Sequence, residues 1–116
     1  MNEESLKYFY DALQAAKAIQ GFAKDATFDD FCSDDLLSSA IERKFEIIGE
    51  ALNRIKKKHP SDLEAISEFP SIIGFRNILV HGYDHVEDSV VWGIILQDLP
   101  ELVSQLNSVP GIDLDD

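Results

Sequence analysis

Arg76, Asn77, His81 and Tyr83 fall within eight positions of one another and bring a guanidinium, an amide, an imidazole and a phenol into one short stretch. The stretch from Phe75 to Tyr83 reads Phe-Arg-Asn-Ile-Leu-Val-His-Gly-Tyr, and Arg76 is the only Arg or Lys after Lys58. It stands in an apolar run of Ile72, Ile73, Phe75, Ile78, Leu79 and Val80, where a charge is costly unless it has a partner or a task. His81 can carry a proton near neutral pH. Arg can hold phosphate oxygens in a bidentate grip and stabilise the extra charge of a pentavalent transition state. His can take a proton from an attacking hydroxyl or give one to a leaving oxygen. The pair therefore suits chemistry at a phosphodiester, and RNA brings its own nucleophile in the 2′-hydroxyl. The bland reading is that Arg76 pairs with a carboxylate such as Glu50 and that His81 caps a helix end.

Helix geometry tests how these residues meet. Asn77 and His81 are four apart and share a face, so Asn77 could fix the imidazole tautomer. Arg76 and His81 are five apart, about 140° around an ideal helix, so one regular helix does not bring them together. They could converge at a helix end that stops at Gly82, or across two copies of the chain.

The elements that must present this group read as helices. Asn2 or Ser5 could cap a first helix with Glu3 and Glu4 at its positive end. Leu6, Phe9, Leu13, Ala16 and Ile19 give it an apolar stripe as far as about Gly21 or Ala23. Thr27 resembles an N-cap with Asp30 three residues on, ahead of a turn bearing Phe28 and Phe31. Ser33 is a second candidate cap, followed by Asp34 and Asp35. A long helix then runs to about His59 on a seam of Leu37, Ile41, Phe45, Ile48, Leu52 and Ile55, and Pro60 ends it. A short helix is expected within Ser61 to Glu68. Pro70 opens the helix that carries Arg76, and Gly82 stops it. A last helical region begins near Glu87 to Ser89 and is divided by Pro100, as a kink or as the first turn of a second piece. Its apolar face is Val91, Ile94, Ile95, Leu99, Leu102, Val103 and Leu106. The expected fold is all-α: an antiparallel bundle of four or five helices over residues 1–109, followed by an acidic, loose tail over 110–116.

Composition narrows the function classes. A chain of 116 residues with 45% hydrophobic content suits one packed domain. It has no apolar run of the ~18 residues needed to span a bilayer. Met-Asn-Glu-Glu-Ser lacks the basic and apolar regions of a signal peptide, so a cytoplasmic protein is expected. The single Cys32 allows no internal disulfide and no cysteine-based metal site, and reads as a small apolar filler. Asp84, Glu87 and Asp88 lack metal-ligand spacing, so neither metal nor cofactor is expected. The net charge of −12 argues against a general nucleic-acid binder. The charge is uneven, however: six of the ten basic residues are Arg43, Lys44, Arg54, Lys56, Lys57 and Lys58. They could form one basic surface, or Lys56 to Lys58 could simply favour the end of a helix dipole. Glu50 shares a face with Arg43, Glu46, Arg54 and Lys57, and two readings of it stand side by side. It belongs to a solvated, charge-paired face, or it lies near a cleft and orients Arg76.

The string Arg76-Asn77-Ile78-Leu79-Val80-His81-Gly82-Tyr83 resembles the R-x4-H-x-Y motif of HEPN-domain ribonucleases, most closely the HepT-like branch. Ile47-Ile48-Gly49-Glu50-Ala51, Ser71-Ile72-Ile73-Gly74-Phe75, and Val91-Trp92 with Asp98-Leu99-Pro100 are similar to further segments of that branch, in order. The resemblance implies an all-α bundle that forms a symmetric homodimer, with the two R-x4-H motifs close together at the interface cleft. It implies a toxin of a toxin–antitoxin pair that cleaves RNA without a metal, leaving a 2′,3′-cyclic phosphate and a 5′-hydroxyl. Arg76 and His81 would be catalytic, with Asn77 in support. Tyr83 would receive AMP from a cognate minimal nucleotidyltransferase antitoxin and so silence the toxin. Two other readings remain: a non-catalytic helical subunit that presents Tyr83 or a nucleotide to a nucleotidyltransferase, and a dimeric helical scaffold without chemistry.

Overall fold

The computed structural model describes residues 1–66 and 86–112. Five α-helices carry the described chain: α1 (Glu3–Ala23), α2 (Phe28–Ser33), α3 (Asp35–Lys58), α4 (Asp88–Gly93) and α5 (Leu99–Asn107). A 3-10 turn at Pro60–Ala65 follows α3, and a π-helical turn at Ile94–Asp98 joins α4 to α5. No strand occurs among the described residues, so the fold is all-α, as the periodicity predicts. The expected helix from Pro70 to Gly82 lies outside the described residues.

Local chemistry sets each start. Asn2 caps α1, its side chain accepting from the Glu4 N–H at 2.7 Å. Ser5, the other candidate, sits buried inside the first turn. Thr27 and Asp30 close a full capping box on α2, each side chain accepting from the other's N–H, at 3.1 and 2.9 Å. The cap of α3 differs from the expected Ser33. Asp34 takes that place and accepts from the Leu37 N–H at 3.1 Å. The reason is conformational: Asp34 has the extended backbone that a cap requires, while Ser33 is still helical and donates its hydroxyl to the Asp29 carbonyl.

Packing centres on α1. Phe9, Ala12, Leu13, Ala15, Ala16 and Ile19 are buried, as are Ile41, Phe45, Ile48, Ala51, Leu52 and Ile55 of α3. The seam expected on α3 is thus core, with Leu37 partly buried at its start. The two helices run antiparallel, because Glu4 at the start of α1 meets the end of α3. Its two oxygens lie 3.2 Å from Lys58 Nζ and 3.0 Å from His59 Nε2. α5 also runs antiparallel to α1. Pro100 near its start borders a groove with Gln20 and Ala23, and a Cβ built on Gly111, beyond its end, would meet the Leu6 side chain at 3.1 Å. α1 therefore lies between two antiparallel neighbours.

Two features extend the sequence reading. Pro100 has no N–H to offer the carbonyl four residues back. The chain widens before it: the Leu99 N–H reaches the Ile94 carbonyl, a π-type bond, and α5 starts with Pro100 in its first turn. Beyond α5, Val109 and Ile112 are each 3% exposed. Gly111 turns the chain between them at φ 87°, in the left-handed region that favours glycine.

The Glu4 carboxyl is held below its ordinary value, chiefly by the hydrogen bond from His59 and then by Lys58. Asp62 is lowered as well, above all by the Ser5 hydroxyl beside it. The Ser5 oxygen is buried without a partner in hydrogen-bond geometry, so its influence on Asp62 is that of a nearby dipole.

Two outcomes follow. Leu52→Ala removes a fully buried side chain from the α1–α3 seam and should cost about 2–5 kcal/mol in urea unfolding. A carboxyl lowered in the folded state stabilises it above the unfolded-state value, and this is lost as pH falls through the folded value. The melting temperature should therefore drop on acidification through the carboxylate range, and Glu4→Gln should flatten part of that drop.

Candidate functional site

Arg76, Asn77, His81 and Tyr83 lie outside the described residues, and Glu50 is the one expected site residue within them. The described chain flanking the motif is anchored on both sides. Ile66, after the 3-10 turn, is buried in the core, and Val86, before α4, packs against it. The 3-10 turn that leads to Ile66 is itself fixed by the buried Leu63.

Glu50 stands half-buried on α3, one turn before Arg54, and its neighbours Gly49 and Ala51 are buried. On the same face Arg43 pairs with Glu46 at 3.2 Å, with side chains 60% and 25% exposed. The charge-paired reading thus describes the N-terminal part of this face. Arg54 takes a different partner, the ring of Tyr8, whose centroid lies 5.9 Å from the guanidinium carbon.

That ring belongs to a cluster the sequence reading does not contain. Lys58 Nζ lies 5.8 Å from the same centroid. The Tyr8 hydroxyl donates to Glu4 at 3.2 Å and accepts from Lys58 at 3.4 Å. The Lys58 ammonium is held above its ordinary value, chiefly by the hydrogen bond to Glu4. The available signal was a pair of four-residue spacings, Glu4 with Tyr8 and Arg54 with Lys58. Each is visible locally, but only the antiparallel packing of α1 on α3 joins them.

Other side chains fall into structural places. Trp92, expected in core or interface, packs partly buried against Phe31 and Phe28, with ring centroids 5.4 and 6.5 Å away. Cys32 is exposed, which corrects the expectation of an apolar filler. It lies on the outer side of α2, while Phe31 beside it takes the buried position. Partial desolvation first, then Asp88 and Asp29, push its thiol up, away from the reactive thiolate. Among the described residues no group of three or more His, Cys, Asp or Glu is placed to hold a metal. No described helix is long and apolar enough to cross a membrane.

Comparison with known proteins identifies the family. The family model described as "Ribonuclease HepT-like" matches residues 12–109, a span that includes Glu50 and the whole stretch from Arg76 to Tyr83. The chain is 30% identical to a Methanocaldococcus jannaschii protein named "Putative RNase MJ1380", over 94% of this chain and all of the other. It is 34% identical to "Putative RNase TTE0752" of Caldanaerobacter subterraneus subsp. tengcongensis, over 88% of this chain and 90% of the other. It is 31% identical to "Probable ribonuclease HepT" of Thermococcus cleftensis, over 88% of this chain and 92% of the other. No solved structure matches the chain. With the family model spanning most of its length and these relatives aligned almost end to end, the chain belongs to the HepT-like ribonuclease family.

Proposed function

We propose that this protein is the endoribonuclease toxin of a toxin–antitoxin pair and that Arg76 and His81 carry its chemistry. The observation that supports this most is the Arg-x4-His-x-Tyr string of residues 76–83, lying inside the span matched by the ribonuclease family. His81 takes the proton of the RNA 2′-hydroxyl as the oxygen attacks phosphorus. Arg76 holds the non-bridging oxygens and stabilises the charge that builds on them. The bond from phosphorus to the 5′-oxygen breaks, and a protonated imidazole gives that oxygen its proton. The products are a 2′,3′-cyclic phosphate and a 5′-hydroxyl, and no electrons are transferred. Asn77 fixes the imidazole tautomer, and Glu50 orients Arg76.

Positions five apart on an ideal helix stand about 140° from each other, so a homodimer cleft is the natural place for Arg76 and His81 to act together. Tyr83 lies at its rim, where a nucleotidyltransferase antitoxin transfers AMP to the phenol and blocks the site. The setting is the cytoplasm.

The net charge of −12 favours a second reading, a non-catalytic subunit that serves the nucleotidyltransferase without cutting RNA. Cleavage separates the two. His81→Ala and Arg76→Ala should each lower RNA cleavage by at least about 10²-fold while the helical circular-dichroism melt stays in place. Retained cleavage in both variants would sink the catalytic assignment, and a wild-type protein that cuts no RNA yet binds the nucleotidyltransferase would establish the second reading. For the modification, co-expression with the nucleotidyltransferase and ATP should add AMP mass to the intact chain. Tyr83→Phe should remove that increment, and an increment that persists in Tyr83→Phe would place the modification elsewhere.

A further inference from the structure

The acidic balance of this chain leaves few places where a phosphate backbone could rest. Four of its ten basic residues fall between Arg54 and Lys58. Helical spacing sets Arg54, Lys57 and Lys58 on one face of α3, with Lys56 turned away. All are exposed. The acidic groups around them are committed. Glu4 uses one oxygen on Lys58 and the other on His59. Asp62 accepts from the Asn2 N–H at 3.4 Å and faces Ser5. Glu50 lies half-buried one turn back.

Lys58 is thereby neutralised, while Arg54 and Lys57 meet no carboxylate among the described residues. Arg54 is nevertheless held in place, since its guanidinium rests on the Tyr8 ring. A guanidinium held over a ring by cation–π attraction can still use its N–H groups, and part of its rotamer entropy is already lost. Such a group is a bidentate donor for an oxyanion. Lys57 follows three residues on, about 4.5 Å along the helix axis, and supplies a second point charge.

We infer that Arg54 and Lys57, with Tyr8 as the seat of Arg54, form a track for the phosphates of single-stranded RNA that flank the bond being cut. This rests on the ribonuclease reading, because the track continues from Glu50, the residue assigned to orient Arg76. Cations spaced about a helical turn apart answer repeated phosphates along a strand, where a lone carboxylate would need one. The track draws RNA to an acidic protein by local contact, where the field of the whole molecule repels it. Tyr8 is a positioning residue, since its ring holds the Arg54 guanidinium and is not itself assigned a contact with RNA.

The test uses the full chain carrying His81→Ala, so that RNA is bound and not consumed, with a short oligouridylate as probe. Arg54→Gln with Lys57→Gln should shrink the slope of log affinity against log salt by about 1.4. A rise from about 50 to about 200 mM salt should then cost this variant about sevenfold less affinity than its parent. Lys17→Gln with Lys24→Gln makes the same charge change on the opposite face of α1 from Tyr8, and should keep the parental slope. In chains that retain His81, neutralising Arg54 and Lys57 should raise KM for bulk RNA and leave kcat unchanged. An unchanged slope in the Arg54/Lys57 variant, or an equal loss in the Lys17/Lys24 control, overturns the track. Absence of cleavage by the wild-type chain, with the slope difference intact, overturns the ribonuclease reading and leaves the track standing as an RNA-binding face.

Discussion

The antiparallel contact of α1 with α3 is the constraint on which the rest of the molecule depends. α1 offers Ala12, Ala15 and Ala16 between Phe9 and Ile19, and these small residues let α3 come close enough to bury Ile41, Phe45, Ile48, Leu52 and Ile55. Each large aliphatic or aromatic side chain taken out of water on that seam is worth about 1.5–3 kcal/mol. Exposed ion pairs contribute little by comparison. The seam therefore supplies the stability, and the contacts of Glu4 with Lys58 and His59 specify which ends meet. Once they meet, the end of α3, the 3-10 turn and Ile66 have fixed positions.

The other flank is held by a different device. α4 and α5 have to follow the core in one helical course although Pro100 interrupts the hydrogen-bond ladder. The π-type bond from Leu99 to Ile94 absorbs that interruption and keeps Val91, Ile95, Leu99, Leu102 and Leu106 on the buried side. Trp92 closes the end of the bundle against Phe28 and Phe31, which links α2 to the last helices. Val86, where the described chain resumes, packs against the core. The stretch bearing the Arg-x4-His-x-Tyr motif thus departs from one fixed point and returns to another.

Charge is arranged unevenly against this frame. A single guanidinium, Arg76, follows Lys58 in the chain, so any wider grip on RNA has to come from elsewhere. Arg54 and Lys57 lie one to two turns from Glu50 on the same helix. Among the described residues neither meets a carboxylate, and Glu4 and Asp62 are engaged at the α1–α3 end.

The sequence by itself determined what depends on neighbours a few residues away. The α3 seam is a three-and-four repeat. The capping box at Thr27 needs only Asp30, and the stop at Pro60 follows from the backbone of proline. The motif and the family were also legible, because the order of residues carries them without any contact. Boundaries between adjacent elements were less so: Ser33 and Asp34 are both good caps, and only the backbone conformation of each chose Asp34. Cys32 was misjudged because burial depends on which face an element turns to the core, and residue type alone does not state that. The stack of Tyr8 with Arg54 and Lys58 lay wholly beyond the sequence. Its halves are complete i,i+4 pairs on two helices, and only packing those helices antiparallel brings a ring from one end of the chain beneath cations from its middle.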